Sequence, residues 1–332
     1  MKILIAVLLL SLTAFAQTNA RDAAWNLASE GKFGQAATAY EKVLALNPED
    51  SNALANLAWC YLELKRFPEA ADTAKRAIEL DPKSYTAYNN LGYALIMMEQ
   101  YEAAIAPLRT SIEINGFYEK SRANLISALT KLDRKDEAIT ELRGAIQTYP
   151  KKINYRRSLI SLLMSSGNYI DAIPESEELI KLEPNRADNY SGLGAGYMMN
   201  GQTEKALGAF RQATVLEPDN ATHLRNLGFA QMSEAKHKDA ITTFQQVLTK
   251  NPKDFETIMA IASCYSSLGQ YDEAVNYGRR ALELRQDSAQ AIMTVAMAFA
   301  MKGDKETARQ YLPRLKELHP RNAGILEKVL AK

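Results

Sequence analysis

The chain has 332 residues, 47% of them hydrophobic, and a formal net charge of +1. That near-neutral balance excludes a nucleic-acid binder held by bulk phosphate attraction, and no low-complexity tract points to disorder. A helical chain of this length ordinarily splits into two cores, whereas a stack of repeats needs only its neighbours.

The first element is a processing signal. Lys2 supplies a short positive region, Ile3 to Leu12 is apolar apart from Ser11, and Ala14-Phe15-Ala16 forms a small-residue cleavage site before Gln17. Residues 1–16 therefore read as an export signal, which places the mature chain in the periplasm or outside the cell. A retained anchor is the alternative, but the run is far short of the roughly 20 apolar residues of a spanning helix. No cysteine follows it to carry a lipid, and no later segment is apolar enough to span a bilayer.

From Gln17 onward the chain repeats itself. Pro48, Pro82, Pro150, Pro184, Pro218, Pro252 and Pro320 fall on one 34-residue grid, and Gly116 and Gln286 fill its two other slots. Each proline follows a run such as Tyr40-Glu41-Lys42-Val43-Leu44-Ala45-Leu46, a helix closing on a breaker. The grid defines nine units without insertion or deletion: 17–50, 51–84, 85–118, 119–152, 153–186, 187–220, 221–254, 255–288 and 289–322.

The twentieth residue is Ala in every unit, from Ala36 and Ala70 to Ala274 and Ala308. A small residue there lets two helices approach closely. The seventh is Leu57, Leu91, Leu125, Leu159, Leu193, Leu227, Ile261 or Val295, and the eighth is mostly Ala or Gly. The fourth, seventh, eighth and eleventh residues share one face at the helical period. Turns near Gly31, Gly167, Gly201, Gly269 and Gly303 separate two helices per unit.

In the first unit Ala20, Ala23 and Ala24 stand where larger apolar residues recur, as suits an end with no earlier repeat. Residues 323–332, with Leu326, Val329 and Leu330 in core phase, are predicted to form a capping helix.

The segment Tyr190-Ser191-Gly192-Leu193-Gly194-Ala195-Gly196-Tyr197, followed by Ala206, Phe210 and Pro218, resembles the 34-residue W-x₂-L-G-x₂-Y…A-x₃-F…P pattern of tetratricopeptide repeats. The resemblance runs from Gln17 to Asn322. It implies an all-α, right-handed superhelical solenoid of helix-turn-helix units that binds other proteins. Arg122 and Arg156 depart from the pattern, standing where the family has a large apolar residue, so the fourth and fifth units are expected to pack more loosely. A carboxylate clamp known in some members needs basic and Asn residues in three consecutive units. It is not carried over, because Trp25 and Phe229 stand where an Asn would follow Arg21 and Arg225.

The resemblance also implies a concave groove lined by the second, fifth, ninth, twelfth and thirteenth residues of each unit. Those places hold an aromatic ladder, Trp25, Trp59 and Tyr93, with Met97 beside it. They hold Lys120, Lys131 and Arg157 in a basic stretch that would favour an acidic partner. They then hold Met164, Met198, Met199, Phe229, Met232, Met259, Met293, Met297 and Met301. Methionine repacks around varied apolar side chains, and Trp or Tyr anchors partners through an apolar ring with a polar edge. The bland alternative is that these residues fill contacts between neighbouring first helices. Asn56, Asn90, Asn124 and Asn226 share the sixth place, which in the family often helps bind backbone; they are read here first as structural.

Cys60 and Cys264 both occupy a tenth place, six units apart, so they are expected to be buried free thiols, because a disulfide needs Cα atoms within about 7 Å. The three histidines, His223, His237 and His319, lack partners at metal-ligand spacing and read as surface or turn residues. No phosphate loop, dinucleotide fingerprint or catalytic motif occurs, so neither catalysis nor a cofactor or metal is expected. The function expected is an exported scaffold whose groove takes a partner peptide or helix. By resemblance, bacterial members of this kind serve envelope assembly, secretion or pilus machinery. The alternative is a Cu(I)-handling protein using the methionine thioethers.

Overall fold

A computed structural model of the chain describes residues 18–331; the segment read as an export signal lies outside the described residues. The described residues are helical without a strand. They form two compact units that divide between Leu162 and Leu163.

The first unit contains α1 (18–29), α2 (Phe33–Leu46), α3 (Ser51–Glu63), α4 (Phe67–Leu80), α5 (Tyr85–Met97), α6 (Tyr101–Ile114), α7 (Glu119–Lys131) and α8 (Lys135–Thr148), then most of α9 (Ile153–Ser165). The second contains α10 (Tyr169–Leu182), α11 (Ala187–Met199), α12 (Thr203–Leu216), α13 (Ala221–Ser233), α14 (His237–Lys250), α15 (Phe255–Ser267), α16 (Tyr271–Leu284) and α17 (Ala289–Lys302). It closes with α18 (Lys305–Gln310), α19 (Leu312–Leu318) and α20 (Pro320–Leu330).

The 34-residue register accounts for these boundaries. First helices begin just after the last residue of the preceding unit. Where that residue is Asp50, Ser84, Asn220, Asp254 or Ser288, its side chain accepts from a backbone N–H of the new helix. The fifteenth residue of every unit sits at positive φ: Gly31, Lys65, Glu99, Asp133, Gly167, Gly201, Ala235, Gly269 and Gly303. A left-handed residue reverses the chain from first to second helix, and glycine takes that conformation without a Cβ clash. Four units make the same turn with a side-chain-bearing residue.

All nine alanines at the twentieth place are 0% exposed, and the seventh-place Leu, Ile and Val residues are buried. The eighth place meets the twenty-fourth across the helix pair. A Cβ built on Gly194 would fall 2.6 Å from Phe210 Cε1, so the aromatic ring fills the space that the glycine leaves. Tyr61 Oη donates to Glu41 Oε1 at 2.8 Å, and Tyr197 Oη repeats the bond to Glu177 at 2.6 Å, tying an eleventh-place tyrosine to the preceding repeat.

Arg122 Nη1 bonds Glu141 Oε2 at 2.9 Å, and the guanidinium occupies the space above Gly144. A charge-assisted bond and a missing Cβ together accommodate the arginine in an apolar slot. Even so, α7 and α8 pack less closely than the helix pairs of the second and third repeats, as the arginine at this place predicts. Two expectations are corrected. The ninth repeat does not have one continuous second helix, since α18 and α19 are separate and Pro313 lies in the first turn of α19. The cap starts at Pro320, three residues earlier than expected, because proline is accommodated in a helix's first turn and His319 Nδ1 accepts from Asn322 N. Ala323, Leu326 and Leu330 of this helix are buried.

Candidate functional site

Within the first unit, helices α1, α3, α5 and α7 wall a cleft of about 530 Å³. Its side chains come from a few repeat places. The ninth supplies Trp25, Trp59 and Tyr93; the sixth supplies Asn56, Asn90 and Asn124; the second supplies Thr86 and Lys120; the fifth supplies Asn89 and Ala123. Leu62, Glu63 and Tyr118 complete the wall. Residues at one place recur on one side of successive helices, so a 34-residue period becomes a row of like groups.

The aromatic side is a small cluster. Trp25 and Trp59 lie 5.7 Å apart between ring centroids, tilted by 43°, and Phe33 meets Trp59 edge-on at 5.5 Å. Trp25 is 48% exposed. Trp59 is half-buried, with one side packed against the core of the first repeats. Trp59 Nε1 donates to Glu63 Oε1 at 3.0 Å. Tyr118 packs edge-on against Tyr85 at 4.9 Å, and burial raises its phenol above the ordinary tyrosine range.

The amide side is a hydrogen-bonded seam. Asn90 Nδ2 donates to the Ala55 carbonyl at 2.9 Å, one repeat earlier. Asn124 Nδ2 donates to Asn89 Oδ1 at 3.0 Å, and Ser121 Oγ donates to the same oxygen at 3.2 Å. The Asn90 and Asn124 bonds each use one of the side chain's two donor hydrogens. The amides are thus held in place while keeping hydrogen-bonding capacity at the wall.

Of the residues expected in a groove, the structure brings Trp25, Trp59, Tyr93 and Lys120 into this cleft. Met97 is exposed on α5 but does not line it, and neither do Lys131 and Arg157. The wider basic stretch is largely neutralised: Arg134 pairs with Glu102 and Glu137, Lys152 with Glu119, and Lys135 with Asp133.

The methionine places divide in the second unit. Met199 and Met301 are exposed, while Met198, Met232, Met293 and Met297 are half-buried against core clusters. Met164 is half-buried with its sulfur near Gly196, and Phe229 meets Phe244 edge-on at 5.2 Å. Met259 must be withdrawn as a groove residue, since it is 4% exposed. The fifth place borders both the neighbouring first helix and the open side: Ala55 and Asn89 have the same 4% exposure there, whereas Ala123 is exposed, and Met259 falls on the buried side. Filling such contacts, the bland alternative raised for these methionines, accounts for the buried and half-buried ones.

His223 is also corrected. It is 2% exposed, with Nε2 3.3 Å from Glu217 Oε2 and 3.8 Å from Asp188 Oδ1. Its third place faces the seam between repeats, where Ser121 and Thr257 are likewise buried. The two thiols are free and buried. Burial, with the Glu63 charge adding to it at Cys60, pushes both up to about 11. Among the described residues no His, Cys, Asp and Glu group is arranged to hold a metal ion, and no helix is long and apolar enough to cross a membrane.

The helix-turn-helix register and this cleft define a repeat solenoid of the tetratricopeptide class. Tetratricopeptide repeat profiles match residues 27–92, 85–118, 213–287 and 259–323, and the chain belongs to that family. Among solved structures it is similar to MamA, at 24% identity and a TM-score of 0.47 over 51% of this chain and 92% of that one. It is similar to YrrB, described as a TPR protein with an unusual peptide-binding site, at 23% identity and a TM-score of 0.48 over 57% of this chain and 97% of that one. A chain of the Naa15/Naa10 complex bound to HypK-THB is similar over 95% of this chain and 65% of its own length, at 13% identity and a TM-score of 0.58. At these identities the likeness concerns the fold alone. No curated protein matches the chain.

Proposed function

We propose that the chain is an adaptor whose first unit holds an extended peptide segment of a partner protein in the cleft of α1, α3, α5 and α7. One observation carries this reading: Asn56, Asn90 and Asn124 succeed one another at the repeat spacing beside Trp25, Trp59 and Tyr93. An extended backbone offers a donor and an acceptor at every residue, whatever its sequence. A row of amides, two of them anchored by hydrogen bonds to the preceding repeat, matches that pattern, and aromatic rings beside it receive the apolar side chains that give specificity. The apolar run before Ala14-Phe15-Ala16 supports export of the mature chain, and hence a partner in the envelope or outside the cell, such as an assembly, secretion or pilus component.

Both tryptophans of the chain line the cleft, so intrinsic fluorescence reports on its occupancy alone. The test pans a displayed random-peptide library against the mature chain and titrates selected peptides. The expected result is a saturable change in tryptophan emission, weakened by Asn124→Ala while the thermal melt stays in place. Selected peptides that bind without moving the emission, or a library that yields none, would overturn the reading.

A further inference from the structure

Two charged side chains stand on the cleft wall, at opposite ends of the row. Glu63 is the thirteenth residue of the second repeat and Lys120 the second residue of the fourth. Both are exposed, and neither takes part in an ion pair among the described residues. Of the other basic side chains in this stretch, Arg109, Arg122, Arg134, Lys135 and Lys152 have acidic partners, and among the described residues Lys120 is the one basic side chain on the cleft wall. Glu63 accepts the neutral Trp59 indole N–H at the aromatic end. Lys120 lies near Asn124 and Tyr118, at the amide end.

We infer that the cleft is dipolar and selects an extended peptide carrying a basic and an acidic side chain in one fixed order, the basic one at Glu63 and the acidic one at Lys120. This rests on the peptide-binding reading above and adds the partner's chemistry and direction. Main-chain recognition by amides cannot by itself fix direction, because an extended strand alternates donors and acceptors whichever way it runs. Opposite charges at the two ends remove that ambiguity, since the reversed peptide brings like charges together at both. The spacing follows from the fold. Two repeat steps of about 8–10 Å each, and the offset between the last residue of α3 and the second of α7, about 16 Å along the helix axis, put the two charges roughly 23–26 Å apart, and an extended chain advances roughly 3.4 Å per residue. The charged pair of the partner is therefore about seven or eight residues apart. Apolar side chains between them would meet Tyr93, and those around and beyond the basic residue would meet Trp59 and Trp25.

The experiment repeats the library selection on the wild-type chain and on the double variant Glu63→Lys with Lys120→Glu. Peptides selected by the wild type are expected to carry a basic and an acidic residue at that spacing in one order. Those selected by the double variant are expected to carry the opposite order. In the wild-type background, Glu63→Gln keeps an acceptor for the Trp59 indole while removing the charge. It should weaken a selected peptide about two- to five-fold at low salt, and the loss should vanish at high salt. Selection of peptides without a charged pair, or of the same order by both proteins, overturns the dipolar reading and leaves peptide binding standing. Failure to enrich any peptide that moves tryptophan emission overturns peptide binding itself.

Discussion

Replacing Gly194 and Gly192 by alanine, one at a time, should shift stability in opposite directions although the two lie two residues apart on α11. Alanine in place of glycine inside a helix gains about 1 kcal/mol from backbone propensity at either position. At Gly192 a Cβ would meet nothing within 4 Å, so the gain stands alone. At Gly194 it would lie 2.6, 2.7 and 2.9 Å from three ring carbons of Phe210. Phe210 is 3% exposed and packed in the core of α11 and α12, so the ring has little room to withdraw. Overpacking of this kind costs about 1–3 kcal/mol, and three ring atoms below 3 Å place Gly194→Ala at the upper end. The net expectation is a gain of about 1 kcal/mol for Gly192→Ala and a loss of about 2 kcal/mol for Gly194→Ala. Because the propensity contribution is common to both, the difference between them, about 3 kcal/mol, measures the steric conflict. Urea unfolding of the two variants beside the wild type supplies it, provided the slopes agree. Phe210→Leu should recover part of the loss only in the Gly194→Ala background, because the two residues share one volume. Equal stabilisation by both alanines would show that the ring yields freely and that close approach at the eighth place is not what the glycine provides.

Other consequences are open to direct measurement. Ala235→Gly should raise stability by about 0.5–1 kcal/mol, and Gly201→Ala should lower it by about 1 kcal/mol, since both positions carry positive φ in the same turn; paired thermal melts check both signs. Leu57→Ala, at a residue 5% exposed, should cost about 2–5 kcal/mol as a core cavity. Trp25→Ala, at a residue 48% exposed, should leave the melt nearly unchanged and abolish most binding of a selected peptide. Cys60 and Cys264, with thiols pushed up to about 11, should resist alkylation of the native protein at pH 8, and denaturant should release both to rapid labelling. Prompt labelling of either in the folded chain would contradict its burial.

The repeat register, the helix pair and the closely packed alanines are all legible in the sequence because each is a choice of residue type at a fixed spacing. The positive-φ turn is legible only in part. Gly31, Gly167, Gly201, Gly269 and Gly303 announce it, but Lys65, Glu99, Asp133 and Ala235 do not, and only the period places them in the same slot. Arg122 shows only half of its setting in the sequence. Its partner Glu141 is 19 residues away on the other helix of the pair, and Gly144, which makes room for it, reads by itself as a mere weakness in α8. Met259 shows the limit of a helical wheel. The fifth place borders both the open side and the neighbouring repeat, and the identity of the side chain does not reveal which of the two it meets.

The cleft follows from two repeat places read together. An aromatic at the ninth place recurs elsewhere, as Phe229 does, and an asparagine at the sixth recurs as Asn226. The second unit holds both in one repeat only, and there Asn226 donates to Ser191 Oγ while Phe229 leans on Phe244. One amide and one ring cannot track a peptide. Three consecutive repeats can, since a backbone passing over them meets a new amide about every 8–10 Å, roughly every third residue of an extended chain. The second through fourth repeats supply that run of asparagines, and the first through third supply the rings. The two ladders are thus offset by one repeat, which puts the ring-rich end at Trp25 and the amide-rich end at Asn124. That offset, with Glu63 towards the rings and Lys120 towards the amides, is what turns a periodic surface into a site with a direction.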